Sequence, residues 1–302
     1  MRLRPKLKIR NPIFPSTLNY QLSTGYTPAM PSPLPQLTDD ERLRGRVPML
    51  SIVMPAYNEA ATIARTLARI MEVTLPCKRE IIVVDDASID KTREAVAPFI
   101  AGGAVRYLRL AKNSGKGAAL RAGFAVARGD YVIVQDADEE YDPRDIPALV
   151  APLMDGTARA VYGSRVINEH CFKRGRWTNP FWYGGRALSL IANLLFCKCR
   201  ISDEAVGYKA LRMDVLRSIP LRCTGFEFCP ELTAKLSRRG VAIYNVPIHY
   251  SPRPVAAGKK IRAHHWFEAV GTLLTYRFVS DHGPVADFEP LAPEVAEDSG
   301  KG

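Results

Sequence analysis

The sequence predicts an α/β protein: a mixed, mostly parallel sheet flanked by helices. Short runs rich in Val and Ile alternate with stretches whose apolar residues recur every three or four positions, the pattern of strands alternating with helices. Each early run ends in polar residues or glycine: PAYNE, DDAS, KNSGKG and QDADEE follow in order. With 302 residues, 47% hydrophobic and 24% charged, the chain can bury a substantial core, as one large domain or two small ones.

Met49 to Pro55 (MLSIVMP) reads as the first strand, and Glu59 to Val73 places Ile63, Leu67, Ile70 and Met71 on one helical face. Ile81 to Asp86 is a second buried strand. Ser88 and Asp90 then offer N-caps for a helix through Phe99. Val105 to Leu110 gives a third strand, Gly117 to Ala127 a helix, and YVIVQD, from Tyr131, a fourth strand. The second half is less regular: a strand at Ala160 to Val166, helices at Asn179 to Cys197, Met213 to Ile219 and Pro230 to Arg239, a strand in AIYNVPIHY, and an apolar helix from His265 to Phe278. No internal repeat is visible. Residues 1–48, basic and rich in Pro and Ser, are expected to form a flexible arm, and 281–302 an acidic disordered tail, leaving 49–280 as the folded domain.

The net charge of +11 favours an anionic partner: nucleic acid, an acidic membrane surface or a phosphorylated small molecule. Six cysteines lack the repeated C-x2-C spacing of a zinc site and read as reduced thiols of a cytosolic protein. His249, His264 and His265 form no metal-ligand pattern with one another. The basic N-terminus lacks the apolar stretch of a signal peptide. The longest candidate membrane segment, Ala187 to Cys197, is well short of the ~20 apolar residues that span a bilayer.

The densest chemical signal lies at the end of the fourth strand, where five carboxylates, Asp136, Asp138, Glu139, Glu140 and Asp142, fall within seven residues. Like charges so close repel, and a bound divalent cation offsets that repulsion. Oxygen-only ligands suit magnesium or manganese. A solvated acidic loop is the alternative for an isolated D-x-D, so the other strand ends must decide. In open α/β sheets ligands bind outside the carboxyl ends of strands, and all four polar ends would converge on one crevice. Lys116, between Gly115 and Gly117, offers a positive charge where the backbone can approach a ligand closely. The G-x4-G-K-[ST] frame of a P-loop is absent.

Taken in order, PAYNEAATI, IIVVDDASIDKT, NSGKGAALRAGFAVARGDYVIVQDADEEYDP, VYGSR, ISDEAVGYKALRMDVL, GFEFCPELTAKLSRRGVAIYNVPIHY and PRPVAAGKKI resemble the inverting family 2 glycosyltransferases, and within them the dolichyl- or polyprenyl-phosphate hexosyltransferases. The resemblance, from about Leu50 to Phe278, implies a single GT-A domain that moves a hexose from a nucleoside-diphosphate sugar, GDP-mannose or UDP-glucose, to a polyprenyl phosphate. It matches Pro55, Tyr57 and Glu59 to the loop against the nucleoside, and Asp85 and Asp86 to acids of which one bonds the base; helix capping or a structural role is the alternative for that pair. It matches Lys116 and Asp136 to the donor site, and Asp136, Asp138 and Glu140 to the ligands of Mg2+ or Mn2+. Ala87 stands where the family usually has Gly, and Val206 where Thr is frequent.

Asp203 and Glu204 occupy the family's acidic position before Gly207-Tyr208-Lys209. A hydroxyl acceptor needs a general base there, whereas a lipid phosphate is already anionic. Both roles stay open: Asp203 acts as base, or orients the sugar or a basic neighbour. Arg165, Arg253, Lys259, Lys260 and Arg262 are the candidate phosphate grips. Phe181 to Lys198 has the composition of an interfacial helix, with core packing as the competitor. The expected setting is the cytoplasmic face of a membrane, with peripheral attachment, a possible membrane-protein partner and no specific nucleic acid. A hydroxyl acceptor, a basic nucleic-acid-binding protein and an inactive scaffold are the rival readings.

Overall fold

The computed structural model describes residues 46–167, 180–196, 200–253 and 263–279. Nearly all of the expected arm, the acidic tail, and Lys259, Lys260 and Arg262 lie outside the described residues.

The first half follows the sequence pattern: β1 (Met49–Ala56), α1 (Ile63–Glu72), β2 (Lys78–Asp85), α2 (Thr92–Ala101), β3 (Val105–Arg109), α3 (Lys116–Val126) and β4 (Tyr131–Val134). Helix α1 begins four residues later than the periodicity suggests. Residues 59–62 form a turn in which Thr62 and Ile63 donate to the Glu59 carbonyl at 3.1 and 3.0 Å. A 3-10 turn (Pro143–Asp145) leads to α4 (Ile146–Met154), then β5 (Ala160–Ser164), α5 (Pro180–Leu195), β6 (Lys209–Arg212), α6 (Met213–Arg217), α7 (Phe228–Arg238), β7 (Ile243–Pro247) and α8 (Ala263–Phe278).

Among the described residues seven strands form one sheet in the order β3-β2-β1-β4-β6-β5-β7. All run parallel except β6, which lies antiparallel between β4 and β5. Leu50, Ile52, Val53 and Met54 of β1 are fully buried, because a central parallel strand is covered on both faces. Each such side chain contributes about 1.5–3 kcal/mol by leaving water.

Two elements escape the sequence pattern. The β6 strand carries Lys209, a residue foreign to a buried strand. Its ammonium lies 3.6 Å from the centre of the Tyr162 ring and donates to the Glu204 carbonyl at 2.9 Å, which allows complete burial. Helix α4 contains Pro147 and Pro152, which hide its periodicity; Pro147 falls in the first turn, where no intrahelical donor is needed.

Candidate active site

Strands β1, β2 and β4 are parallel neighbours, so their carboxyl ends open on one edge of the sheet. Three non-glycine residues there adopt left-handed backbone: Asn58 (φ 51°), Ala87 (φ 58°) and Glu139 (φ 59°). Such conformations cost an L-residue roughly 1–2 kcal/mol. Ala87 therefore retains the backbone that glycine would take, and the substitution leaves a strained turn rather than a different one.

Lys116 opens α3, and its Nζ lies 2.6 Å from Asp136 Oδ1. Burial lowers the ammonium's pKa, but the Asp136 charge, aided by Cys229 and Asp138, outweighs it and leaves the group above its ordinary value. The flanking glycines serve a purpose that the sequence does not reveal. A Cβ on Gly117 would lie 2.6 Å from the Cys223 carbonyl oxygen, and one on Gly115 (φ 95°) 2.5 Å from that of Thr224. Gly117 and Ala118 donate their N–H groups to Gly225 and Thr224 at 3.2 and 2.9 Å. Close approach here is to the protein's own 223–225 backbone, which fixes the turn carrying Lys116.

Glu231 holds that backbone. Fully buried on α7, it accepts from the N–H groups of Arg222 and Cys223, both at 2.8 Å, from Lys235 Nζ at 2.7 Å and from the Tyr276 hydroxyl at 3.0 Å. The residue stands inside GFEFCPEL, but as one acid in an amphipathic helix it gives no local sign of this role.

Asp136 packs against the segment before β6: a Cβ on Gly207 would lie 2.5 Å from Asp136 Oδ2 and 2.9 Å from the Tyr141 ring. Gly207 N–H donates to the Tyr141 hydroxyl at 2.8 Å. The Tyr208 hydroxyl donates to Gln135 Oε1 at 2.5 Å, and Gln135 Nε2 donates to the Asp136 carbonyl at 3.0 Å.

Asp138 accepts from Arg253, whose Nη2 is 2.9 Å from Asp138 Oδ2, and the same guanidinium forks onto both oxygens of buried Glu59 at 3.2 and 3.0 Å. Burial pushes the Asp138 carboxyl above the usual range and the Asp136 charge adds to this, against the pull of Arg253 and Lys116. Glu140 faces elsewhere. Its oxygens accept from the Tyr250 hydroxyl at 2.7 Å and the Arg253 N–H at 2.9 Å, and its carbonyl accepts from Ser251 at 2.8 Å, so it anchors the segment that delivers Arg253.

Asp203 receives Arg165 bidentately, at 2.7 and 2.8 Å, together with the Arg165 N–H at 3.1 Å. Burial opposes ionisation of Asp203, but Arg165 wins and holds its carboxyl below the ordinary value. The guanidinium also lies 4.9 Å from the centre of the Tyr250 ring. Glu204 is fully buried, with Oε1 accepting from the Thr233 hydroxyl at 3.2 Å and Oε2 lacking a hydrogen bond among the described residues.

At the end of β2 both acids are occupied. Asp85 accepts from the Tyr107 hydroxyl, from Arg109 at 2.8 Å and from the Ser88 N–H at 2.7 Å. Asp86 accepts from the N–H groups of Ser114 and Gly115 at 2.7 and 2.8 Å, pinning the glycine-rich turn. Pro55 and Tyr57 are half-buried at the end of β1. His249 belongs to a structural pair, its N–H and Nδ1 lying 2.6 and 2.8 Å from Asp145.

The model of glycosyl transferase family 2 matches residues 51–219, the segment that builds this edge. The chain belongs to glycosyl transferase family 2. It is 31% identical over 190 residues to the dolichol-phosphate mannosyltransferase of Pyrococcus furiosus, a match covering 62% of the chain and 52% of that relative. It is also 31% identical over 223 residues to the undecaprenyl-phosphate mannosyltransferase of Micrococcus luteus, covering 68% and 85%. The match to dodecaprenyl-phosphate galacturonate synthase of Rhizobium johnstonii is 36% over 191 residues, covering 61% and 54%. The chain thus spans about half the length of the first and third of these relatives. Among solved structures, glucosyl-3-phosphoglycerate synthase of Mycobacterium tuberculosis with Mn2+, UDP and glucosyl-3-phosphoglycerate superposes with a TM-score of 0.59 at 25% identity, covering 78% of this chain and 82% of that one. This family 2 transferase has the GT-A fold, and it is an enzyme. No helix among the described residues is long and apolar enough to cross a membrane.

Proposed function

We propose that this transferase moves a hexose from a nucleoside-diphosphate sugar to a polyprenyl phosphate in one in-line displacement with inversion, at the cytoplasmic face of a membrane. One observation carries the choice of acceptor: neither acid before Gly207 is placed as a base. Asp203 is clamped and kept ionised by Arg165, and Glu204 is completely buried. A hydroxyl acceptor needs a base, whereas a phosphate monoester is already a nucleophile and needs only positioning. The polyprenyl-phosphate transferases among the relatives support the same acceptor.

In this reading a phosphate oxygen of the lipid forms the new bond to the anomeric carbon as the bond to the diphosphate breaks, and the electron pair leaves with the nucleoside diphosphate. Lys116 and Arg253, each on an aspartate at the end of β4, are the cations that screen these phosphates. Pro55 and Tyr57 flank the nucleoside. Asp85 and Asp86 shape the donor pocket through the turns they hold. Asp136 and Asp138 would hold a magnesium or manganese ion: the donors are all oxygen, and burial beside the Asp136 charge makes Asp138 receptive to a cation. Such an ion supplies charge neutralisation for the departing diphosphate. Glu140, already tied to Tyr250 and Arg253, supports Arg253 in this scheme.

Membrane attachment draws support from two adjoining helices, linked where Trp266 Nε1 donates to the Gly184 carbonyl at 2.9 Å. On α5, Tyr183, Leu190 and Leu194 are 48, 60 and 68% exposed, and on α8, Phe267, Leu274 and Phe278 are 70, 42 and 77% exposed. The same spacing aligns each set along one helical face, as an interfacial helix requires.

The test is transfer of label from GDP-mannose and UDP-glucose into organic-extractable polyprenyl phosphate, with magnesium or manganese, beside a chelated control and 3-phosphoglycerate as a hydroxyl acceptor. Metal-dependent lipid label that disappears in Asp138→Asn, with the fold intact by circular dichroism, is the expected result. Label in the hydroxyl acceptor alone would overturn the proposal.

A further inference from the structure

The start of α8 gathers two imidazoles and a carboxylate. His264 and Glu268 are four residues apart and His265 and Glu268 three apart, so both pairs lie side by side on the helix surface. One ligand atom from each of His264, His265 and Glu268 lies within 4.8 Å of the other two. The two imidazole rings stand 4.0 Å apart, centre to centre, and His265 packs 4.8 Å from Phe226. The histidines alone form no ligand pattern, and the third donor, Glu268, joins them one helical turn further on.

A second feature points to a cation. His265 and Glu268 line a cavity of about 540 Å3 together with Thr224, Glu227, Thr272 and Thr275. Its wall carries two carboxylates and, among the described residues, no lysine or arginine. That is the reverse of a chain whose net charge is +11.

We propose that His264, His265 and Glu268 form a binding site for a divalent transition cation of the zinc class. Two nitrogen donors and one oxygen donor select zinc over magnesium, which prefers oxygen alone. Three protein ligands leave a position for water or a small anion, for which the cavity has room. All three ligands belong to one helix, so the ion staples its first two turns. That helix start directly follows Lys259, Lys260 and Arg262 in sequence and packs through His265 on Phe226, next to the 223–225 backbone that fixes Lys116. The site shares no ligand with the ion proposed at Asp136 and Asp138, and its test does not require that reading to hold.

The full chain, stripped with chelator and returned to excess magnesium, is titrated with zinc by calorimetry and with cobalt by visible absorption. Magnesium occupies oxygen-only sites and competes poorly for imidazole. One equivalent of zinc, an intense tetrahedral cobalt band and a zinc-dependent rise in melting temperature are expected. His264→Ala and His265→Ala should each weaken zinc binding by roughly a hundredfold or more, while Cys197→Ser/Cys199→Ser leaves it unchanged. His264→Gln repeats the test with less change of shape. No zinc equivalent in magnesium, retention of it by the His264→Ala/His265→Ala double variant, or its loss in the cysteine variant would each overturn the proposal.

Discussion

Replacing Gly207 by alanine tests whether the backbone before β6 sets the position of Asp136. The added Cβ would stand 2.5 Å from Asp136 Oδ2, whereas ordinary contact begins at 3.4 Å, so the carboxylate must withdraw by about 0.9 Å. It cannot do so freely, because Oδ1 of the same group is held 2.6 Å from Lys116, and the Tyr141 ring, 2.9 Å from the new carbon, blocks the other side. A misplacement of about 1 Å in a catalytic group costs roughly a hundredfold in rate, or about 2.7 kcal/mol of transition-state stabilisation. The crowding should also lower stability by about 1–3 kcal/mol. The assay is the rate of label transfer to polyprenyl phosphate at saturating donor, with thermal unfolding alongside it. Wild-type turnover in a protein that has lost stability would show that the placement of Asp136 is immaterial to catalysis; unchanged stability and unchanged turnover would show that the contact itself is relieved without cost.

Three other outcomes follow from the geometry. Burial, opposed by Lys209 and Thr233, holds the Glu204 carboxyl above the ordinary range. A carboxyl whose folded pKa is raised detracts from stability progressively as pH climbs from its unfolded value of about 4.3 through the folded value, so Glu204→Gln should gain melting temperature relative to wild type over that interval; parallel curves would refute this. Glu231→Gln leaves Lys235 buried without its carboxylate and loosens residues 222–223, so stability should fall by about 3–5 kcal/mol in chemical denaturation and the KM for nucleotide sugar should rise. Leu190→Glu/Leu194→Glu changes only exposed positions and should stay within about 0.5 kcal/mol of wild type per substitution, yet lose cosedimentation with anionic vesicles; undiminished binding would remove the interfacial role of α5.

Much of the fold was legible because its determinants are local. An apolar run that ends in polar residues marks both a buried strand and the edge where it stops, and β1 to β4 follow that pattern, bringing Pro55, Tyr57, Asp85, Asp86 and Asp136 to one side. The β6 strand and α4 were hidden for equally local reasons: a lysine whose burial rests on Tyr162 and Glu204, and two prolines, one of them in the first turn of the helix. The histidines of α8 form no ligand pattern with one another in sequence, and their proximity to Glu268 comes from the side-chain arrangement of the folded helix.

The sequence by itself determined the class of fold, the edge at which polar chemistry collects and, through the order of its motifs, the family. Only the tertiary structure decided how that chemistry is wired: Lys116 against Asp136, Arg253 between Glu59 and Asp138, Arg165 on Asp203, and Gly115 and Gly117 under the 223–225 backbone. Strand and helix patterns arise from neighbours in the chain. The state of a buried carboxylate depends on which cation or N–H group, up to 194 residues away, the folded chain brings against it.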